Sequence, residues 1–411
     1  MICPTLPTVF VDGNATNCSE LEKCIAINKK LQKVKIIYEG LPSTIISSVI
    51  RGVTKNKTIT SLTLGVEHSP PFLLLDGVIE QLLKDNNTLQ ALSLNIPDPS
   101  SLNIVEVKTP LTALDIRSSK LITSVLPHTK ELHCLILHYE PYPPNLLFLS
   151  HPSLHTLTLP LDTAESAIEL FTILQTNTTL KALSVAIYQK VFTSSMGTSL
   201  QHMLIQNQSL KYLTISMCRK TVFSPFLSFL TTGLESNTSL QHLSVPLSLN
   251  QDVKSFINCI SQKNNLTEIE MYFILYRSNS NSKEKRQELA PLFYEQVLPA
   301  VTNMLQSHTT IRLLRIDCEE IFEEFEPNDY WIELIQHLYE TIFIHPSLEY
   351  VEFQHNFLMR DVLYSQKMTL IDRHTEAQPH KPLPIVHIPD TSISYDDEDS
   401  SNEELDYNSP S

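Results

Sequence analysis

A string of eight or nine residues recurs along the chain and limits its possible folds more than any other feature. Close copies, such as NKTITSLTL and NTSLQHLSV, begin at Asn56, Asn86, Asn177, Asn207, Asn237 and Asn264. Weaker copies fill the intervals, and close and weaker copies together place an anchoring apolar residue at Leu31, Ile59, Leu89, Leu111, Leu132, Leu154, Leu180, Leu210, Leu240, Leu266, Ile311 and Leu348. Repeats at this spacing indicate a solenoid, in which each unit buries its apolar face only against its neighbours.

The second half of each string alternates between apolar and other residues, which is the pattern of a half-buried strand. In the copy at Asn207, Leu213 and Ile215 should point inward, while Tyr212 and Thr214 point outward. One such strand buries almost nothing. Stacked in parallel, the strands pool their leucines, and each fully buried leucine contributes roughly 1.5 to 3 kcal/mol.

The longer repeats carry helical spacing between their strands. Examples are the sets Ile79, Leu82, Leu83 and Val253, Phe256, Ile257, Ile260. Such one-faced helices should line the convex side of the solenoid. The shorter repeats anchored at Leu111, Leu132 and Leu154 have proline-rich connections. We expect extended or single-turn connections there, because proline interrupts helices and the segments are short.

Strands of the form N-x-S/T-L-x-x-L-x-L, joined by helix-bearing repeats of 26 to 30 residues, resemble the ribonuclease-inhibitor-like class of leucine-rich-repeat proteins. They also resemble the repeat region of nucleotide-binding leucine-rich-repeat receptors. The resemblance implies an α/β solenoid, a curved horseshoe with parallel strands on the concave face and helices and extended connections on the convex face. It also implies protein recognition on the curved surface.

We divide the chain into three parts on this pattern. Residues 1–27 form an N-terminal cap or irregular segment, and residues 28–358 form a solenoid of about 12 repeats. The leucine pattern then stops, so residues 359–411 are predicted to be a disordered, proline-containing acidic tail.

The charge distribution argues against nucleic acid and anionic membrane as partners. The formal net charge is −15, and the eight acids that follow Pro389, with no lysine or arginine among them, leave −7 for the rest of the chain. Neither part offers the basic surface that phosphate groups require. No apolar run reaches the roughly 20 residues of a membrane helix, and no secretion signal is evident. Seven scattered cysteines favour a reducing, cytoplasmic setting, and we expect a monomer.

Sequence motifs for catalysis are missing from the chain. It has no Walker phosphate loop, no G-x-G-x-x-G, no G-x-S-x-G and no H-E-x-x-H. Fifteen histidines are present without metal-ligand spacing, so we predict no enzyme activity, no metal and no cofactor. The Asn-x-Ser/Thr sequons coincide with the turn of the repeat, where an asparagine amide can satisfy backbone groups, so we interpret them as structural.

The outward strand positions change character along the chain. They are small in the early and middle repeats, for example Ser61, Thr63, Ala91 and Ser93. The later repeats present larger and more polar side chains, namely Tyr212, His242, Glu268, Glu270, Tyr272, Arg315, Asp317, Tyr350, Glu352 and Gln354. Tyrosine and arginine commonly anchor interfaces. We therefore predict that a protein partner binds here, with basic residues opposite Glu268 and Glu270.

The sequence leaves a second interpretation open, in which the chain is a regulatory adaptor of an enzyme. It could select substrates for a ubiquitin ligase or activate a GTPase. A GTPase-activating protein would need an inserted arginine, for which Arg219, Arg277 and Arg315 are candidates. Nothing in the sequence around these arginines distinguishes them from ordinary surface residues.

Overall fold

In the described residues of the computed structural model, thirteen short parallel strands lie side by side in one open sheet. The structure describes residues 17–37, 42–65, 77–95, 104, 106–129, 131–139, 143–188, 191–217, 225–249, 252–273, 289–318, 328–354 and 357–388. The strands are β1 (Lys33–Ile37), β2 (Ser61–Gly65), β3 (Ala91–Asn95), β4 (Ala113–Ile116), β5 (Cys134–Leu137), β6 (Thr156–Leu161), β7 (Ala182–Ile187), β8 (Tyr212–Met217), β9 (His242–Leu247), β10 (Glu268–Phe273), β11 (Leu313–Cys318), β12 (Tyr350–Gln354) and β13 (Ile385–His387).

Helices connect most of the strands. They are α1 (Cys18–Ile27), α2 (Ser43–Lys55), α3 (Val78–Asp85), α4 (Ser119–Val125), α5 (Pro144–Ser150), α6 (Ala164–Leu174), α7 (Ser194–Gln206), α8 (Phe226–Ser236), α9 (Asp252–Ser261), α10 (Leu298–Ser307), α11 (Asp329–Ile344) and α12 (Phe357–Ala377). A π-helical segment, Phe293–Val297, leads directly into α10. Of the helices in the described ranges, none is long and apolar enough to cross a lipid bilayer.

The strand order in space is the order in sequence, and each strand pairs in parallel with the next. Inward-facing residues therefore stack from repeat to repeat. Leu62, Leu92, Leu114 and Leu135 share one register position on four successive strands, and each is at most 2% exposed. The structure confirms the predicted leucine-rich-repeat solenoid, with thirteen strands where the sequence indicated about 12 repeats.

A buried asparagine joins each of four repeats to the one before it. The Asn86 amide Nδ2 donates to the carbonyl of Val53, near the end of the preceding helix, at 2.8 Å. Its Oδ1 accepts from the backbone N–H groups of Thr88 and Leu89 at 2.9 and 2.8 Å. Asn56, Asn207 and Asn237 make the same contacts. One side chain thus donates to a carbonyl near the end of the preceding helix and accepts from two N–H groups of the turn.

These contacts explain the recurring Asn-x-Ser/Thr string. Asn86 is fully buried, and Asn56, Asn207 and Asn237 are at most 3% exposed. The hydroxyl at the third position of the string also links two repeats. Ser239 Oγ donates to the carbonyl of Leu210 in the preceding repeat at 2.9 Å. The structural interpretation of these sequons is confirmed for the four buried asparagines.

Histidine replaces asparagine at this position in two late repeats. His308 Nε2 lies 2.7 Å from the carbonyl oxygen of Lys263, and His345 Nε2 lies 2.8 Å from that of His308. On the other side of the ring, Nδ1 of His345 accepts from the N–H of Leu348 at 3.0 Å. This arrangement requires the neutral imidazole, with its proton on Nε2. Burial lowers the pKa of both His308 and His345, which favours the same form.

The chain beyond residue 358 corrects the predicted boundary of the tail. Residues 359–388 were predicted to be disordered, but α12 covers most of them and β13 adds a strand beside β12. The leucine spacing is lost there, yet Met359, Val362 and Leu370 are buried, and Tyr339 Oη donates to the carbonyl of Met359. Sparse apolar residues therefore hold this helix. The rest of the predicted tail, residues 389–411, lies outside the described residues.

The short repeats also differ from expectation. Single-turn or extended connections were predicted near Leu132 and Leu154, but α4 and α5 each contain 7 residues, about two turns. Proline is compatible with the start of α5, because Pro144 occupies its first turn, where no backbone donor is needed. The prolines therefore set where this helix starts and do not abolish it.

We predict that acidification destabilises the late repeats through His308 and His345. Because their folded pKa values are lowered, the unfolded chain takes up protons first. Their contribution to stability is present above the unfolded pKa of about 6.5 and is lost as the pH falls below it, through the folded pKa. The urea midpoint reported by Trp331, the single tryptophan of the chain, should therefore fall between about pH 7.5 and pH 5.5.

The matched variant replaces both histidines by the residue that other repeats use, as His308→Asn and His345→Asn. Asparagine keeps the donor and the acceptor but does not titrate, so most of the decline over this pH range should disappear. Trp331 is a local probe, since it is buried in α11 and stacks on Tyr294 at 4.7 Å. An equal decline in the double variant would show that other groups cause it.

Candidate protein-binding surface

The strand register brings all ten residues predicted to bind a partner onto the concave face of β8–β12. They form three rows across the strands, because outward residues at one register position align. The first row contains Tyr212, His242, Glu268 and Tyr350; the second contains Glu270, Arg315 and Glu352; and the third contains Tyr272, Asp317 and Gln354. We call these ten residues the C-terminal concave surface.

Arg315 on β11 lies at the centre of this surface, between two carboxylates. Its Nη1 lies 2.9 Å from Glu270 Oε1 on β10, and its Nε lies 2.9 Å from Glu352 Oε2 on β12. The three side chains are 30%, 13% and 7% exposed, respectively, so these ion pairs are shielded more than ordinary surface pairs. The guanidinium thus links three adjacent strands through their side chains.

Hydrogen bonds from neighbouring side chains complete the network around the two glutamates. Tyr272 Oη donates to Glu270 Oε2 at 2.7 Å, and Tyr350 Oη donates to Glu352 Oε2 at 2.9 Å. Gln354 donates to the other oxygen of Glu352 at 2.5 Å. Both tyrosine rings are therefore held in one orientation.

The balance of these forces keeps Glu352 charged. Burial alone would raise the pKa of this carboxyl, but hydrogen bonds from Gln354, Tyr350 and Arg315, together with the charge of Arg315, hold its pKa below the usual value. Burial and the hydrogen bond to Glu270 raise the pKa of Tyr272, so its phenol stays protonated and remains a donor near neutral pH. The network is therefore fully formed near neutral pH.

The two glutamates predicted to face a basic partner differ in the structure. Glu270 is already paired with Arg315 and Tyr272. Glu268 is 38% exposed and lies 3.1 Å from Nδ1 of His242, a ring that can also be neutral. Glu268 is thus the carboxylate better placed for a cation of the partner.

Tyr212 is the most exposed aromatic residue of the surface. It is 44% exposed, and its ring centre lies 5.9 Å from that of His242 on the next strand. An exposed ring beside a second ring offers a large apolar contact area with a polar tip. Tyr212 and Glu268, on either side of the more buried His242, are thus exposed parts of the C-terminal concave surface.

The early concave face has a polar cluster that the sequence analysis did not identify. Asp115 accepts from Ser93 Oγ at 2.8 Å and lies 3.0 Å from Nε2 of His138. A shallow depression of about 90 Å³ lies beside it, among the small outward residues of β2–β5. The alignment of Ser93 and Asp115 at one register position could have indicated the pair, but His138 lies just beyond its strand.

Two further features bear on catalysis. In the part of the chain that the structure describes, no group of three His, Cys, Asp or Glu residues could hold a metal ion. Arg315, a candidate for an inserted catalytic arginine, is held by two carboxylates and does not project from the surface. The other two candidates, Arg219 and Arg277, lie outside the described residues.

Comparison with known proteins gives matches among solved structures only. No family model and no curated protein matches the sequence. The leucine-rich repeat-containing protein LegL7 from Legionella pneumophila is 12% identical, and the match covers 88% of this chain and 93% of LegL7, with a TM-score of 0.41. Actin-binding site 2 of leiomodin-1 is also 12% identical, and the match covers 41% of this chain and 97% of that one, with a TM-score of 0.26. At these scores neither similarity bears on function, and the leucine-rich-repeat fold follows from the strand order, the register and the repeat.

We predict that Arg315→Ala destabilises the late repeats by about 1 to 3 kcal/mol, because it leaves two shielded carboxylates without their shared cation. Urea unfolding followed by Trp331 fluorescence measures this loss. Arg312→Ala is the matched control, since Arg312 also pairs with a glutamate on the next strand, Glu349, but both side chains are more than half exposed. The control should change little. Equal losses in the two variants would contradict the special role of Arg315.

Proposed function

We propose that the chain is a non-catalytic protein-interaction module and that a partner protein binds its C-terminal concave surface. One observation carries the proposal: large amphipathic side chains on four adjacent strands, β9–β12, are held in place by hydrogen bonds and ion pairs, and Tyr212 is exposed beside them on β8. In the repeats before β8, the outward positions are mostly small.

Preorganisation of the side chains supports this proposal. Binding normally costs free energy because long side chains lose rotamer freedom, about 0.5 to 1.5 kcal/mol for each one immobilised. On this surface Tyr272, Tyr350 and Arg315 are already fixed through Glu270 and Glu352. These side chains have therefore already lost much of their rotamer freedom on folding, and a partner that binds them loses less free energy.

The charge of the surface favours a basic partner. It contains four acids, Glu268, Glu270, Asp317 and Glu352, against one arginine. These ten residues therefore carry more negative than positive charge near neutral pH. We propose that a lysine or arginine of the partner contacts Glu268, while an apolar group packs on the neighbouring ring of Tyr212.

The proposal also covers the oligomeric state of the chain and its cellular compartment. We propose a monomer in a reducing, cytoplasmic compartment. The five cysteines in the described ranges are all unpaired, as thiols are in such a compartment. The adaptor interpretation would use the same surface to select a substrate for an enzyme, and no contact in the structure favours it over simple binding.

Substitution of the three tyrosines tests the proposal. The variant Tyr212→Ala, Tyr272→Ala, Tyr350→Ala should lose the partner that the tagged full chain captures from its native cells, with affinity reduced about tenfold or more, because buried tyrosines commonly dominate interface energies. Circular dichroism should show an unchanged fold. Titration of the purified partner into each variant provides the affinity.

Tyr139→Ala and Tyr330→Ala form the control, since these rings are 49% and 53% exposed but lie outside the C-terminal concave surface. The control should keep the partner. Glu268→Lys should weaken binding on its own by reversing the charge that faces the partner's cation. Full affinity in both the triple variant and Glu268→Lys would remove this surface as the binding site.

A further inference from the structure

The first two repeats carry a positive charge that the net charge of the chain conceals. Residues 17–37 and 42–65, the described parts of these repeats, contain eight lysines and arginines against two acids, Glu20 and Glu22. Their net charge is +6 in a chain of net charge −15, so the other residues carry −21. The charge of the solenoid is therefore strongly asymmetric, and its N-terminal end attracts anions.

Six exposed lysines lie on and around the turn between α1 and β1. They are Lys23, Lys29, Lys30, Lys33, Lys35 and Lys57. Lys33 and Lys35 share one face of β1, since alternate residues of a strand point to the same side. Their register partners on β2, Ser61 and Thr63, place that side on the concave face of the solenoid. We call the six lysines, together with Ile27, the N-terminal basic surface.

Hydrogen bonds fix the turn at the centre of this surface. Asn28 Oδ1 accepts from the backbone N–H of Lys30 at 2.8 Å. Asn56 Nδ2, in the next repeat, donates to the carbonyl of Asn28 at 2.8 Å. Lys57 follows Asn56 as Lys29 follows Asn28, so the two lysines hold equivalent positions in adjacent repeats, about 5 Å apart along the sheet. Their backbones are therefore held at a fixed spacing.

An exposed aliphatic side chain lies among these cations. Ile27, the last residue of α1, is 75% exposed. Lys23 lies on the same helix face, because residues four apart are neighbours on a helix surface. Lys29 and Lys30 follow Ile27 in the turn. A single exposed apolar residue is normal, but here an occupant can gain an apolar contact and charge pairing at one place.

The charge and shape of the N-terminal basic surface decide among the possible occupants. A second copy bound about a two-fold axis would place its lysines opposite like charges. A nucleic acid would extend beyond these two repeats, about 10 Å of the sheet, towards the part of the chain that carries −21. A lipid bilayer is flat, whereas the lysines pass from the helix side round the turn to the concave side. A short acidic protein segment can follow this path.

We propose that the N-terminal basic surface binds an acidic segment of a partner protein, with an apolar residue of that segment packed on Ile27. Carboxylates beside that residue pair with Lys29 and Lys30 in the turn and with Lys33 on β1. Lysine suits this role, because its flexible stem lets the ammonium group follow a carboxylate without a fixed geometry. The inference is independent of the C-terminal concave surface, for which a basic partner is proposed.

Fluorescence anisotropy of the full chain with a labelled acidic peptide tests this proposal. The probe contains only glutamates and two central leucines, and its length of about 12 residues spans about 40 Å when extended. The peptide should bind, and its affinity should fall about tenfold or more in the variant Lys29→Gln, Lys30→Gln, Lys33→Gln, because opposite charges stabilise the contact. Added salt should weaken binding for the same reason.

The matched control is Lys108→Gln, Lys254→Gln, Lys367→Gln, which removes the same charge from three exposed lysines in other repeats. It should leave the affinity nearly unchanged, because salt screens charges that lie farther away than about 10 Å. Circular dichroism of each variant checks that the solenoid is intact.

Ile27→Ser tests the apolar contact separately from the charges. It should weaken binding of the leucine-containing peptide about threefold or more, and it should not affect an all-glutamate peptide of the same length. Three results would each overturn the proposal. They are failure of the acidic peptide to bind, equal losses in the two lysine variants, and binding of a labelled oligouridylate as tight as that of the peptide.

Discussion

The hydrogen bonds of a buried side chain just before six of the described strands are the interaction on which the rest of the structure depends. Through them one asparagine, or a neutral histidine in the late repeats, ties the end of the preceding helix to the turn of its own repeat. An unpaired buried amide or carbonyl costs about 1 to 3 kcal/mol, so a repeat displaced from this position would lose several such contacts at once. The side chain therefore fixes where each of these strands begins, and the leucines of neighbouring strands stack in the same register.

A fixed strand start also sets the chemistry of the concave face. Residues on strands that lie far apart in sequence meet side by side, and 45 residues separate Glu270 from Arg315, while 37 separate Arg315 from Glu352. A shift of one residue in any strand would turn these side chains into the core, where unpaired charges are strongly disfavoured. The network of the C-terminal concave surface and the burial of the leucines are thus two results of one register.

Much of this architecture could be predicted from the sequence, because the repeat is local and periodic. The strands, the concave position of residues such as Tyr212 and Tyr350, and the role of Asn86 follow from spacing alone. The repeat spacing also places Glu270 beside Arg315, but the spacing does not reveal which of their atoms pair or that Tyr272 and Tyr350 donate to the same carboxylates. The helix α12 was missed because its few buried residues, among them Met359 and Leu370, lack the leucine spacing of earlier repeats.

Side-chain oxidation by hydroxyl radicals, compared between the free chain and its complex with the captured partner, shows whether the partner covers the C-terminal concave surface. Tyr212 is 44% exposed and Tyr139 is 49% exposed, so the two rings should be oxidised at similar rates in the free protein. If the partner binds at the C-terminal concave surface, we expect Tyr212 to be protected in the complex while Tyr139 and Tyr330 continue to react. Unchanged oxidation of Tyr212 in a saturated complex, with protection elsewhere, would contradict binding at the C-terminal concave surface.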